Sequence, residues 1–204
     1  MDSKTSLRRA ERDDLDRVIE WMEDPDYHHF LYGDAARSPR QIRESIVAMV
    51  GRDQNNLAPG SIHLIIDHRE RGPIGLVSLQ RISWRNRGCT VDFYMGDKPL
   101  RGGVEAGAAM YRTAEYCFDE LNLHRLTANI YAFNRPSWRL LERVGAVREL
   151  VLKEHVVRDG ELHDLYCYGL LRPDFEAFRE AGPKFESLSL ENMIARLAAP
   201  DTQT

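Results

Sequence analysis

The stretch Tyr94-Met-Gly-Asp-Lys-Pro-Leu-Arg-Gly-Gly-Val-Glu-Ala106 decides how this chain is read. Just before it, Cys89, Val91, Phe93 and Met95 alternate with Thr90, Asp92 and Tyr94, the period of a half-buried strand. After it, Ala106, Met110, Thr113, Cys117 and Leu121 recur at helical spacing, so Gly102-Gly103 opens a helix. A strand that runs through a glycine turn into a helix leaves the first helical N–H groups unpaired and the positive end of the dipole exposed. With Arg101 beside it, such an end has the chemistry to grip a diphosphate. An ordinary glycine turn with a surface arginine accounts for the same residues. No Gly-Lys-Ser/Thr follows and G-x-G-x-x-G is absent, so the loop is neither a Walker loop nor a dinucleotide fingerprint.

Outward from this loop, the pattern alternates between the two periods. Leu15, Val18, Ile19 and Met22 predict a helix that Asp13 or Asp14 can cap. Ser38-Pro39 followed by Ile42, Ile46, Met49 and Val50 predicts a second, and residues 54–60 form a loop. Residues 62–68 and 74–82 read as strands joined by Glu70-Arg71-Gly72-Pro73, a hairpin-type connection. Downstream, residues 125–133 alternate, Pro136 starts a short helix that Gly145 closes, and residues 147–157 and 162–171 make a hairpin on Asp159-Gly160. Strands and helices interleave as β–β–β–α–β–α–β–β, which is a single α/β domain with a mixed sheet. That domain spans residues 1–171, and residues 172–204 are a C-terminal extension with one helix near residues 187–197 and a frayed end.

Composition narrows the function. In 204 residues, 43% apolar and 29% charged side chains are a soluble globular balance. A net charge of −4 gives no reason to expect nucleic acid or an anionic membrane as partner. No run of about 18 apolar residues occurs and the first residues lack a signal-type core, so a cytoplasmic location is expected. Cys89, Cys117 and Cys167 are an odd set without metal spacing and read as small buried hydrophobes. His63 and His68 fall on opposite faces of their strand, and His28-His29 has no partner at ligand spacing, so no metal is expected. Trp21, Tyr27, His28, Phe30 and Tyr32 form an aromatic group that suits either core packing or a pocket wall. Glu23, Asp24 and Asp26 suit capping, a solvated face or attraction of a cation.

Four patterns in fixed order carry a resemblance: Arg101-Gly-x-x-x-Ala106, Phe118-x-x-Leu-x-Leu-His-Arg-Leu-x-Ala128, Asn134-x-x-Ser-x-x-Leu-Leu-Glu-x-x-Gly145 and Glu154-His-x-x-Arg-Asp-Gly-x-x-x-Asp164. Together they resemble the GNAT superfamily of acyl-CoA N-acyltransferases, over about residues 7–171. The likeness is to the branch holding ribosomal-protein N-terminal, polyamine and amino-sugar acetyltransferases. It implies a mixed, mostly antiparallel, seven-stranded sheet splayed at its middle and flanked by helices, with acetyl-CoA as co-substrate. The family's diphosphate loop falls on Arg101, Gly102, Gly103, Val104, Glu105 and Ala106, with Val104 where the family has its central glycine. The backbone at Tyr94 and Met95 would pair with the pantetheine arm, and Asn134 would face it. Leu141 stands where many relatives carry a tyrosine acid, so Ser137 would protonate the thiolate. Asp92, near the splay, and Glu154 are the candidate bases.

The chemistry needs a neutral amine. A protein α-amine has a pKa of about 7.7–8 and a lysine-type amine about 10.4. The second therefore needs a base far more than the first. The resemblance implies direct transfer to a small-molecule or peptide amine, the former slightly favoured, by a homodimer. The departures at Val104, Glu105 and Leu141 keep a second reading open, a non-catalytic acyl-CoA-binding or interaction domain with a degenerate loop.

Overall fold

A computed structural model of the chain describes residues 4–27, 29, 30, 40, 41, 44, 47 and 58–182. Within the helix expected over residues 38–50, residues 40, 41, 44 and 47 are described and are helical, while the helix expected over residues 187–197 lies outside the described residues. Seven strands form one sheet: β1 (Thr5–Arg9), β2 (Ile62–His68), β3 (Gly72–Ser83), β4 (Gly88–Met95), β5 (Arg125–Tyr131), β6 (Val147–Arg158) and β7 (Glu161–Leu171), in the order β1-β2-β3-β4-β5-β7-β6. All neighbours are antiparallel except β4 and β5.

β2 is covered on both faces, which is why six of its seven residues are buried, His63 and His68 among them. Helix α1 (Leu15–Glu23) covers one face, packing Val18, Ile19 and Trp21 with Tyr27 on Ile65, Leu76 and Tyr94. Helix α2 (Val104–Glu115) covers the other, its small residues Ala106, Ala108 and Ala109 close to Leu64, Ile66 and Val77. Helix α3 (Arg135–Arg143) and helix α4 (Arg172–Glu180) join the α2 side. The β6–β7 hairpin turns on Asp159 and Gly160, both left-handed at φ 51° and 79°, the backbone that an Asp-Gly pair favours.

Three features go beyond the sequence pattern. β1 carries a single apolar residue, Leu7, so it shows no period of its own; pairing with β2 makes it a strand. Asp14 does not cap α1. Its carboxylate instead accepts from the Glu11 N–H at 2.8 Å and from both terminal nitrogens of Arg8 at 2.7 Å. Burial works against the Asp14 charge, but those hydrogen bonds outweigh it and hold the carboxyl below its usual range. The expected α2 helix gives way at Tyr116–Glu120 to a π turn closed by Leu121 N–H on the Tyr116 carbonyl at 3.0 Å.

Helix α4 lies inside the segment read as an extension, yet its Phe175 is fully buried beside Tyr111 and Phe118, with ring centroids 5.2 and 5.4 Å away. Burial of that ring is worth about 1.5–3 kcal/mol to the core. No helix among the described residues is long and apolar enough to cross a membrane.

Candidate active site

β4 and β5 pair over three positions only, Gly88 with Arg125, Cys89 with Leu126 and Thr90 with Thr127. Beyond Thr90 the strands part, so the β5-facing edge of β4 from Val91 to Met95 has no ladder partner there. A cavity of about 310 Å³ opens in the gap. Its walls include Asp92, Tyr94, Met95, Arg101, Gly102 and Ala106 on one side and Asn129, Asn134, Ser137 and Leu141 on the other. An exposed strand edge of this kind offers N–H and C=O groups to an extended ligand, as an added strand would use them.

The loop from β4 to α2 ends at this cavity. A single turn at Lys98–Leu100 precedes Arg101, and Gly102 takes φ 71°, a conformation that glycine adopts without penalty. The Gly103 N–H reaches the Leu100 carbonyl at 3.2 Å, and α2 begins at Val104 with no side chain capping it. The first-turn amides are therefore free of intrahelical partners and of a side-chain cap. The Val104 side chain packs against the main core and is not part of the cavity wall.

The Arg101 side chain is committed within the protein. Its Nε donates to the Met95 carbonyl at 2.8 Å, Nη1 to Asp26 Oδ2 at 2.6 Å and Nη2 to the Tyr94 hydroxyl at 2.7 Å. Its guanidinium also lies over the Tyr94 ring, 5.1 Å from the centroid. Lys98 Nζ reaches Asp24 at 3.1 Å and Asp26 at 3.2 Å. The acidic residues Asp24 and Asp26 thus hold the cations of the loop. Arg101, above all, holds the Asp26 carboxyl below its usual range. Burial pushes the Tyr94 phenol up to about 12, so it stays protonated near neutrality.

The two candidate bases separate cleanly. Asp92 lies in the cavity wall, across from Ser78 of β3, and Gln80 Nε2 donates to its Oδ2 at 2.5 Å. Burial pushes its carboxyl up, with Arg81 opposing. Glu154 lies on a bulge between the Leu152–Leu165 and Val156–His163 pairs, at φ 48°. It is exposed and not among the cavity-lining residues, and its N–H donates to Asp164 Oδ1 at 3.0 Å. Asn134 occupies the N-terminal cap position of α3 without its side chain capping, and Ser137 follows in the first turn. Both line the cavity, as does Leu141.

Cys89 and Cys117 are buried and touch, and that contact, then burial, pushes the Cys117 thiol up. Neither lines the cavity. Of the aromatic group, Trp21 and Tyr27 are core residues, while Phe30 is part of the cavity wall; His28 and Tyr32 lie outside the described residues. Gln80 and the pairing of Asp26 with Arg101 carry no signal in the sequence. Strand register is needed to set Gln80 beside Asp92, and a tertiary fold to bring residue 26 to residue 101.

Residues 4–147 match the family described as "Acetyltransferase (GNAT) domain". The chain belongs to the GNAT acetyltransferases and is an N-acetyltransferase, acting on an amine. The "Uncharacterized N-acetyltransferase p20" of Bacillus licheniformis is 24% identical over 172 residues, 84% of this chain and 95% of that protein. The "SPbeta prophage-derived uncharacterized N-acetyltransferase YokL" of Bacillus subtilis (strain 168) is 26% identical over 69% of this chain and 75% of its own. Among solved structures, the spermidine N-acetyltransferase of Vibrio cholerae in complex with CoA and spermine superposes at a TM-score of 0.76, with 21% identity over 86% of this chain and 99% of that one. At that identity the likeness establishes the fold, including the seven-stranded splayed sheet.

Proposed function

We propose that this protein transfers the acetyl group of acetyl-CoA to the primary amine of a small molecule by direct attack. One observation carries the reading: the unpaired edge of β4, the uncapped first turn of α2 and the Asp92 carboxylate all open on a single cavity. The pantetheine arm would pair along Tyr94 and Met95, with Asn134 facing it, and the diphosphate would rest on the first-turn amides from Val104 to Ala106, beyond the Gly102 turn. Arg101 belongs to that loop through its contacts rather than as a free cation.

At pH 7.4, freeing a lysine-type amine of its proton costs about 4 kcal/mol, from about three pKa units at 1.36 kcal/mol each. Asp92 would take that proton. A half-buried carboxylate with a raised pKa is a better base than an exposed one. Ser137 would return a proton to the departing thiolate. Since a thiolate leaves readily, positioning of the two substrates would supply much of the rate.

The lean toward a small acceptor draws on the spermidine acetyltransferase likeness and on the Tyr94-Met-Gly-Asp-Lys98 segment. Thiol release from acetyl-CoA, measured over polyamines, amino sugars and peptides with a free α-amine, tests it. Turnover with the small amines is expected. Turnover with peptides alone would move the acceptor to a protein N-terminus, and binding of the coenzyme without turnover would favour a non-catalytic domain. The reading extends to a homodimer, whose contact would cover the exposed Val147, Leu150, Val157 and Leu162 of the β6–β7 edge; sedimentation as a monomer would refute that part.

A further inference from the structure

The acidic turn that follows α1 is tied to the loop before α2 by ion pairs and by ring packing. Arg101 directs three nitrogens at three protein acceptors, the Met95 carbonyl, the Asp26 carboxylate and the Tyr94 hydroxyl. Tyr94 meets Tyr27 edge to face at 4.7 Å, and Tyr27 is 4% exposed. Gly96, just past β4, lies so close to Trp21 of α1 that a Cβ there would overlap the indole ring. The end of β4, the loop and the Pro25–Tyr27 turn are thus one packed unit. Within it two carboxylates, Asp24 and Asp26, face two cations, Lys98 and Arg101. The cluster is neutral, so the attraction for a diphosphate falls to the backbone amides of α2. Four residues after Asp26 the same segment contributes Phe30 to the cavity wall.

We infer that Asp26 and Arg101 are a positioning pair, locking the turn that leads to Phe30 onto the coenzyme loop so that coenzyme and acceptor sites are held in one geometry. The inference rests on the acetyltransferase reading above. Its rival is exchange, in which Arg101 leaves Asp26 for the diphosphate when the coenzyme arrives.

The two differ in sign for one substitution. In the full-length protein, with CoA as the probe, Asp26→Asn weakens binding about 5-fold if the pair positions the loop, from an interaction of ordinary ion-pair strength. Arg101→Gln weakens it to a similar extent, and the double variant loses no more than either single one. Asp26→Glu, which keeps the charge, restores binding to within about twofold. KM for both substrates rises in Asp26→Asn while kcat is largely kept, a split that simple loss of folded protein would not produce. Unchanged or tighter CoA binding in Asp26→Asn overturns the positioning pair. Absence of CoA binding in the unmodified protein would instead remove the acetyltransferase reading, and this inference with it.

Discussion

Asp92 and His63 are both held in the sheet, and burial drives their ionisation in opposite directions. Burial raises the Asp92 carboxyl, so the acid limb of the rate–pH profile should lie above the ordinary carboxylate range. Asp92→Asn should lower kcat/KM by about 100-fold or more at pH 7 while leaving CoA affinity within about twofold. Glu154→Gln, on the exposed bulge, should cost little by the same assay, and the reverse pattern would assign the base to Glu154. His63 is buried, with Nδ1 3.0 Å from Ser78 Oγ, and burial lowers its pKa to about 4. The unfolded chain, with a histidine pKa of about 6.5, then binds more protons than the folded one between about pH 4 and 6.5. The stabilising contribution of neutral His63 is present above that window and is lost as pH falls through it, by up to about 1.4 kcal/mol per pH unit. Thermal melts of His63→Gln should show a shallower decline over this range than the unmodified protein; parallel curves would refute the assignment. Asp92 was legible in the sequence because strand alternation sets it on one face, whereas its partner Gln80 depends on strand register.

At the scale of the element, the start of α2 is where sequence and structure diverge most usefully. A β-branched residue at the family's glycine position suggests crowding of the diphosphate, but Val104 turns into the core. Val104→Gly should therefore lower stability by about 1 kcal/mol, through lost packing and the entropy of glycine, without tightening CoA. Tighter binding would restore the steric argument. Strands β2 through β7 and helices α1 to α3 were legible because each carries its own period or its own turn chemistry, such as Asp159-Gly160 or Pro136. β1 was not, since a strand with one apolar residue is defined by its neighbour's hydrogen bonds. The π turn at Tyr116–Glu120 was not either, because its extra residue shifts the helical face while the composition stays helical.

For the whole molecule, a ligand that binds the folded state alone raises stability by mass action. CoA at about 100 times its Kd should add about 2.7 kcal/mol, which corresponds to about 5–11 °C in Tm for a chain of this size. Absence of a shift at millimolar CoA would mean that the cavity between β4 and β5 is not a coenzyme site. The sequence by itself determined the order of elements, the α/β class and the glycine loop that opens α2, because periodicity and turn chemistry act over a few residues. Tertiary structure alone decided which polar groups meet. Arg101 reaches an aspartate 75 positions away, Asp92 acquires Gln80 across a strand pair, and Phe175 of the last described helix closes the core. Such contacts form only when distant segments have paid the entropy of closure and settled their register, and no local pattern of side chains encodes that outcome.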